Sequence, residues 1–269
     1  MLARMKKDKE VIAAISSIFS HFLGESKRES GALARQWLRR HRESQSQFVM
    51  ASFSPTEECR LRAGEIVMID QLPVSHFINR CDSGVVLSTI HMGDYLHATL
   101  RLFSSINPRE VLILRRQAWT EAAQATSKVG DFGHQVIPVI ANPEAARTLL
   151  QGLRRGAIVV MLYDLPSRWG ATKTVQVLDH PMRWVCGPSQ LAMITRSCMV
   201  PFYCFESGGT PHCEFGAVRD YRKPRSSHIT VQSEMQAMAS AAETYIRRFV
   251  TQWENWRLID EMIIHDMGA

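Results

Sequence analysis

A chain of 269 residues with 45% hydrophobic side chains can bury one sizeable core, and we expect a single domain over residues 1–269. Its formal net charge of +6 favours an anionic partner such as nucleic acid, an acidic protein or a phospholipid surface, among which charge alone does not choose. The six cysteines form no C-x-x-C pair, which excludes a zinc knuckle and argues against a disulfide framework, so we expect reduced thiols.

The N-terminal region, residues 1–70, is expected to be helical and to pack on or beside a sheet. It opens with an amphipathic segment in which lysines precede apolar residues at helical spacing. The lysines are Lys6, Lys7 and Lys9, and the apolar residues are Val11, Ile15, Ile18 and Phe22. Such a helix either packs on the domain or lies in a membrane interface, and both interpretations remain open. Residues 11–23 are too few and too polar for a spanning helix, which needs ~20 residues, and no secretory signal is recognised.

Two further helical patterns cover residues 31–53 and 55–69, and short apolar strands then alternate with helices. The predicted strands are 85–90, 110–114, 135–140, 157–163, 173–178 and 200–205, and a hairpin adds 213–218. The predicted helices are 95–104, 119–129, 143–154, 188–195 and 231–253. This alternation predicts an α/β fold with a central mixed, largely parallel sheet flanked by helices, whose core spans residues 85–256.

A histidine and an aspartate follow the first of these strands. In open α/β sheets, ligands bind beyond the carboxyl ends of the strands, and His91 lies at such an end. A neutral imidazole beside a carboxylate is the usual arrangement for a general base, so we predict that His91 is catalytic with Asp94 as its neighbour. The alternatives are a structural histidine and an aspartate that only caps the next helix.

A second group of polar residues ends two other strands. Asp164 follows the strand 157–163, and Arg115 and Arg116 follow the strand 110–114. If the sheet brings these ends together, the two guanidinium groups suit a phosphate or a developing oxyanion; the alternative is a solvated surface pair. Motifs for a serine nucleophile, a nucleotide-binding loop and a metalloprotease are missing, and we expect no metal.

Four segments carry a resemblance to a known family. His91 after a strand, the segment LRR ending at Arg116, the strand VVMLYD, and RWVCGPSQLAMITRSCMVPFY occur in one order. Together they resemble the lipid A late acyltransferases of the lysophospholipid acyltransferase-like superfamily, over residues 85–256. The resemblance implies a glycerolipid acyltransferase-like fold in which His91 activates an acceptor hydroxyl of a lipid A precursor.

The resemblance also implies roles for other residues. Arg115 and Arg116 would contact the substrate or the oxyanion, Asp164 is the acidic residue of a second conserved block, and Gly187 and Pro188 form a substrate-side turn. No cofactor would be bound directly, because the donor thioester is held on an acidic phosphopantetheine carrier protein. We expect Arg147, Arg154 and Arg155 to dock that carrier.

The chain departs from the family pattern where the family carries its acid. That position is Leu96 here, so Asp94, Asp164 or another group would take the role. The branch that it resembles best is the lipid A glycyltransferase of polymyxin resistance, which implies a glycyl donor and peripheral attachment at the cytoplasmic face of the inner membrane. The alternatives are transfer of a fatty acyl group and a non-enzymatic basic surface-binding protein. Nucleic acid is not expected, since the arginines lack interleaved aromatics.

Overall fold

A computed structural model of the chain describes residues 2–115, 128–223 and 228–264. The helices are α1 (Leu2–Leu23), α2 (Lys27–Phe53), α3 (Thr56–Glu65), α4 (Gln71–Arg80), α5 (Tyr95–Phe103), α6 (Ala145–Arg154), α7 (Gly187–Thr195), α8 (Val231–Arg248) and α9 (Ile259–Met262). The strands are β1 (Val67–Ile69), β2 (Val85–Thr89), β3 (Glu110–Arg115), β4 (Gln135–Ile140), β5 (Ile158–Leu162), β6 (Thr172–Val177), β7 (His180–Val185), β8 (Cys198–Ser207), β9 (Thr210–Phe215) and β10 (Arg219–Asp220).

Among the described residues, eight strands form one sheet in the order β1-β9-β8-β2-β5-β3-β4, with β10 paired to β8. The neighbours from β8 to β4 run parallel, whereas β9 and β10 pair with β8 in the antiparallel sense. Every residue of β2 is buried, as expected of a strand whose sheet is covered on both faces. The predicted mixed, largely parallel α/β fold is confirmed.

The N-terminal helices pack on the domain. Ile15, Phe19 and Phe22 of α1 are buried in the main core cluster, and the Phe19 ring lies edge-on to Trp256 at 4.9 Å. Of the two interpretations of the amphipathic segment, packing on the domain is confirmed, because the apolar stripe faces the protein interior. None of the helices in the described ranges is long and apolar enough to cross a bilayer.

Two helical segments differ from their predicted boundaries. The third helical pattern ends as α3 at Glu65, and β1 then pairs with β9. The last helix ends at Arg248 and is followed by two short 3₁₀ turns, Val250–Gln252 and Glu254–Leu258. Most of the predicted helix 119–129 lies outside the described residues.

Three strands, β1, β7 and β10, were missing from the prediction. The segment 173–178 is β6, and it pairs with β7 in a separate two-stranded hairpin. Leu178 and Asp179 connect the two strands with positive φ angles of 54° and 64°. Tight hairpin turns of this kind usually carry Asn-Gly or Asp-Gly, so Leu-Asp gave no turn signal in the sequence.

Candidate active site

The register of the parallel sheet brings His91 and Asp164 together. Thr89 of β2 and Leu162 of β5 are paired neighbours at the carboxyl ends of their strands, and each candidate residue lies two positions further along. His91 Nδ1 lies 2.8 Å from Asp164 Oδ1, and the His91 backbone N–H donates to Asp164 Oδ2 at 2.9 Å. Two residues that are 73 positions apart therefore form one pair at the sheet edge where ligands bind in such folds.

Two side chains from the segment after α8 complete the shell around Asp164. The Trp253 indole N–H donates to Asp164 Oδ2 at 2.8 Å. The Asn255 amide donates to the same oxygen at 3.0 Å and to the Asp164 carbonyl oxygen at 2.6 Å. Asp164 is 0% exposed, and these donors replace the water that a buried carboxylate loses.

Electrostatics favour a histidine that binds a proton readily. Burial and the charge of Arg257 lower the pKa of His91. The Asp164 carboxylate, its hydrogen bond to the ring and the Glu254 charge raise that pKa. The raising effects are larger in sum, so the pKa of His91 lies above its ordinary value. The hydrogen bond to Asp164 assigns the proton to Nδ1, which leaves Nε2 with a lone pair. An imidazole in this state is suited to accept a proton from a substrate hydroxyl.

Asp94 has another partner. Its carboxylate lies 2.8 and 2.9 Å from His97 Nδ1 and accepts from the His97 backbone N–H at 3.2 Å, which caps α5. Gly93 precedes it with a φ of +61°, and a Cβ there would lie 2.5 Å from the Cys204 backbone. The capping interpretation is confirmed, and the carboxylate in contact with His91 Nδ1 is that of Asp164. The catalytic role of Asp94 stays a prediction, although its carboxylate contacts His97 of the helix that it starts.

His91 lies between a large apolar cavity and a smaller polar pocket. The cavity has a volume of about 1380 Å³, and α6, α7 and the end of β5 form much of its wall. Its apolar lining includes Leu114, Leu149, Leu150, Leu165, Leu191 and Ile194. The smaller pocket, of about 390 Å³ and called the polar pocket here, includes Ser44 and Asp94, and Glu254 and Arg257 line both spaces. His91 lines both spaces as well, so a group in either space can reach its imidazole.

The comparison with known families agrees with this geometry. The family model for bacterial lipid A biosynthesis acyltransferases matches residues 25–256. The chain belongs to this family. Its activity is therefore acyl transfer onto lipid A. No curated protein matches the sequence significantly. The matched range includes His91, Asp164 and Asn255, so the whole shell around the acid lies within the family region of this acyltransferase.

Of the other residues expected to contact the substrate, those that the structure describes lie near the cavity. Gly187 begins α7 in the cavity wall, with Pro188 at the first helical positions. A Cβ at Gly187 would lie 2.9 Å from Met161 Cε, so a side chain would displace the wall. Arg115 ends β3 at the same sheet edge as His91, and Arg116 lies outside the described residues.

The three arginines expected to dock a carrier lie in and just after α6. Arg147 lies in the half of α6 that lines the cavity. The helix returns antiparallel to the strands, so Arg154 and Arg155 lie at its far end, where Arg155 pairs with Glu110 at 2.6 Å as β3 begins. That edge is separated from His91 by a strand length of roughly 17 Å. Docking of a carrier by these arginines stays a prediction.

Sequence reasoning missed the segment that follows α8. Trp253, Glu254, Asn255 and Arg257 surround the His91–Asp164 pair, but the prediction treated residues 231–253 as a closing helix and gave the rest no role. The only local signal was a run of polar residues between two buried tryptophans. In the described part of the chain, no group of His, Cys, Asp or Glu side chains is arranged to hold a metal ion.

Proposed function

We propose that the acyltransferase uses His91 as general base, oriented by Asp164, to move an acyl group from a carrier-protein thioester to a hydroxyl of lipid A. The observation that carries this proposal is the His91–Asp164 pair, with Nδ1 and Oδ1 at 2.8 Å, at the junction of an apolar cavity and a polar pocket. Asp164 replaces the acid that the family carries at the position of Leu96.

The reaction follows from the free lone pair on Nε2. The acceptor hydroxyl gives its proton to Nε2 as its oxygen attacks the thioester carbonyl, and a tetrahedral oxyanion forms. The carbon–sulfur bond then breaks, the carbonyl is restored as an ester, and the departing thiolate takes the proton from the imidazolium. The Asp164 charge stabilises the imidazolium between the two steps.

The cavity favours a fatty acyl donor. Each methylene that leaves water for an apolar site contributes about 0.8 kcal/mol, and the wall supplies leucine and isoleucine side chains along its length. A glycyl group has no chain to fill a volume of about 1380 Å³. We therefore place the donor chain, or an acyl chain of the lipid acceptor, in this cavity.

The glycyl donor expected from the resemblance is the second candidate. Glu254 lines the polar pocket beside His91, where its carboxylate would pair with the ammonium group of a glycyl thioester. Glycyl transfer would add positive charge to lipid A, which is the basis for the expected resistance to polymyxin.

The reaction also requires a carrier protein and access to the membrane that contains lipid A. We propose peripheral attachment at the cytoplasmic face of the inner membrane, supported by the exposed Lys6, Lys7 and Lys9 at the start of α1. Carrier docking is proposed near the cavity, where Arg147 and Arg257 are exposed. Arg154 and Arg155 lie too far from His91 to guide the thioester directly.

Mass spectrometry tests this function. Purified protein is incubated with lipid A and either long-chain acyl-carrier or glycyl-carrier, and the mass added to lipid A is measured. We expect a fatty acyl adduct that is lost in His91→Ala and retained in His76→Ala, a control on the exposed face of α4. A glycyl adduct alone would select the second candidate. Absence of both adducts would contradict the proposed carrier-dependent transfer.

A further inference from the structure

The segment after α8 is joined to the loop that carries His91. The Glu254 backbone N–H donates to the His91 carbonyl oxygen at 2.9 Å, and Met92 and Trp253 form an isolated antiparallel bridge. The Trp253 carbonyl oxygen in turn accepts from the Trp37 indole of α2 at 2.8 Å. These contacts hold the segment between the loop that carries His91 and helix α2, although the segment lies more than 160 residues after His91 in the chain.

Within this segment, Trp253 and Asn255 both aim at one carboxylate oxygen. Asp164 Oδ2 accepts from the Trp253 indole, the Asn255 amide and the His91 backbone N–H, while Oδ1 faces His91 Nδ1. The Asn255 amide nitrogen donates to two oxygens of Asp164 and also lies 3.2 Å from His91 Nδ1, so it contacts both members of the pair. Three donors on one oxygen leave the other oxygen directed at the imidazole.

We infer that Trp253 and Asn255 are positioning residues, which hold the Asp164 carboxylate aimed at His91. The inference rests on the proposed roles of His91 and Asp164. It explains how an acid from β5 can work in place of the missing family acid at Leu96. The Asp164 carboxylate follows a different strand from His91, so other hydrogen bonds must fix its orientation. Trp253 and Asn255, near the end of the range that the family model matches, donate those hydrogen bonds. Neither side chain needs to touch the substrate for this role.

The physical basis is the cost of an isolated buried charge. Asp164 is 0% exposed, as is Trp253, and Asn255 is 2% exposed, so water does not replace a lost donor readily. Removing one hydrogen bond to a charged group destabilises the ionised form of that group. With one donor fewer, the carboxylate interacts more strongly with its remaining donors, and the His91 imidazolium is one of them.

A pair of tryptophan variants isolates the indole hydrogen bond. Trp253→Phe removes the N–H that Asp164 accepts and keeps an aromatic ring. Trp184→Phe is the matched control, because Trp184 is also 0% exposed, its ring centroid lies 6.3 Å from that of Trp253, and its buried indole N–H has no partner among the described residues. Both substitutions leave a comparable cavity, and Trp253→Phe also loses the hydrogen bond to the buried carboxylate, so thermal unfolding should report a larger loss of stability for Trp253→Phe.

We expect Trp253→Phe to lower kcat about tenfold or more with little change in KM, as the loss of a hydrogen bond to a charged group implies. The acid limb of its pH–rate profile should move to higher pH, because His91 must be neutral to act as base and its proton is now held more strongly. Trp184→Phe should keep the wild-type kcat and acid limb. Equal kcat values and equal acid limbs for the two variants would overturn the inference.

Two further measurements cover the other outcomes. If Trp253→Phe does not fold, Asn255→Ala removes the second donor, and wild-type turnover with an unmoved acid limb in that variant would also overturn the inference. The proton NMR resonance of the His91 Nδ1–H, identified by its loss in His91→Ala, reports the pair without turnover. We expect it to shift in Trp253→Phe and Asn255→Ala but not in Trp184→Phe. If wild-type protein transfers nothing, the proposed function fails, whereas the resonance still tests the positioning role.

Discussion

Two histidine–aspartate pairs with different accessibility lie near the carboxyl end of β2. The His91 side chain is 22% exposed and its partner Asp164 is 0% exposed, whereas His97 is 2% exposed beside Asp94. A base must reach its substrate, so only the first pair combines a buried acid with an accessible imidazole. From sequence, His91 was recognisable by its place after a buried strand. Its partner was left among alternatives, because contact between residues 91 and 164 depends on the pairing of β2 with β5.

The two possible roles of Asp94 are separable by substitution. We expect Asp94→Asn to keep a near-normal transfer rate, since the amide oxygen still caps α5 and the Asp94 carboxylate lies on His97 rather than on His91. Asp94→Ala removes the cap and should lower the free energy of unfolding by about 1 kcal/mol. Thermal unfolding and transfer rates measured on both variants check this. A large loss of transfer rate in a stably folded Asp94→Asn variant would instead show that Asp94 takes part in catalysis.

At the scale of elements, the sequence predicted well those strands and helices that have a hydrophobic pattern of their own. It did not predict elements that depend on contacts with other segments. The buried strands β2, β5 and β8 were recognisable because apolar residues run continuously through them. The hairpin of β6 and β7 was not, because its Leu178–Asp179 turn lacks glycine. The two short 3₁₀ turns on either side of Trp253, the second of which carries Asn255, have no periodic signal at all, so this part of the site became visible only in the folded chain.

The cavity between α6, α7 and the sheet distinguishes the two donors. Leu150 lines this cavity and is half-buried, so Leu150→Trp should fill part of it without replacing a fully buried side chain. We expect the transfer rate with long-chain acyl-carrier to fall at least about tenfold, since the chain loses the contacts that hold it. Leu72→Trp, at a position that is 76% exposed, is the control and should transfer normally.

Transfer rates with donors of decreasing chain length check the same point. Short chains need less of the cavity, so their rates in Leu150→Trp should approach the wild-type rates. Unchanged rates with every donor, in a variant that unfolds at the wild-type temperature, would show that the acyl chain does not occupy this space. The cavity would then have to be assigned to another group.

At the scale of the whole molecule, charge and apolar surface are separated at the N-terminus. The apolar stripe of α1 faces the core, whereas Lys6, Lys7 and Lys9 are exposed. The net charge of +6 predicted an anionic partner. Both a lipid surface and an acidic carrier protein fit that prediction. Composition did not reveal which face of α1 is covered, because that depends on the packing of α1 against α2 and Trp256.

Binding to vesicles tests the role of this charged end. We expect the protein to sediment with vesicles that contain anionic lipid and to be released by salt, because attraction to a charged surface is screened within a Debye length. A variant with Lys6→Glu, Lys7→Glu and Lys9→Glu should bind less while it keeps its transfer rate on detergent-dispersed lipid A. Equal binding to neutral and anionic vesicles at every salt concentration would contradict an electrostatic attachment.

The central claim is that Asp164 makes His91 a base for acyl transfer to lipid A. Sheet pairing brings Asp164 next to His91, whereas the family carries its acid five positions after the histidine. The most direct test is the rate of transfer from acyl-carrier to lipid A in Asp164→Asn, measured with His91→Ala and wild type under the same conditions. Asparagine preserves size and removes the charge that stabilises the imidazolium, so we expect a loss of about 10²-fold or more in kcat in a folded protein. A folded Asp164→Asn variant with wild-type kcat would contradict the claim.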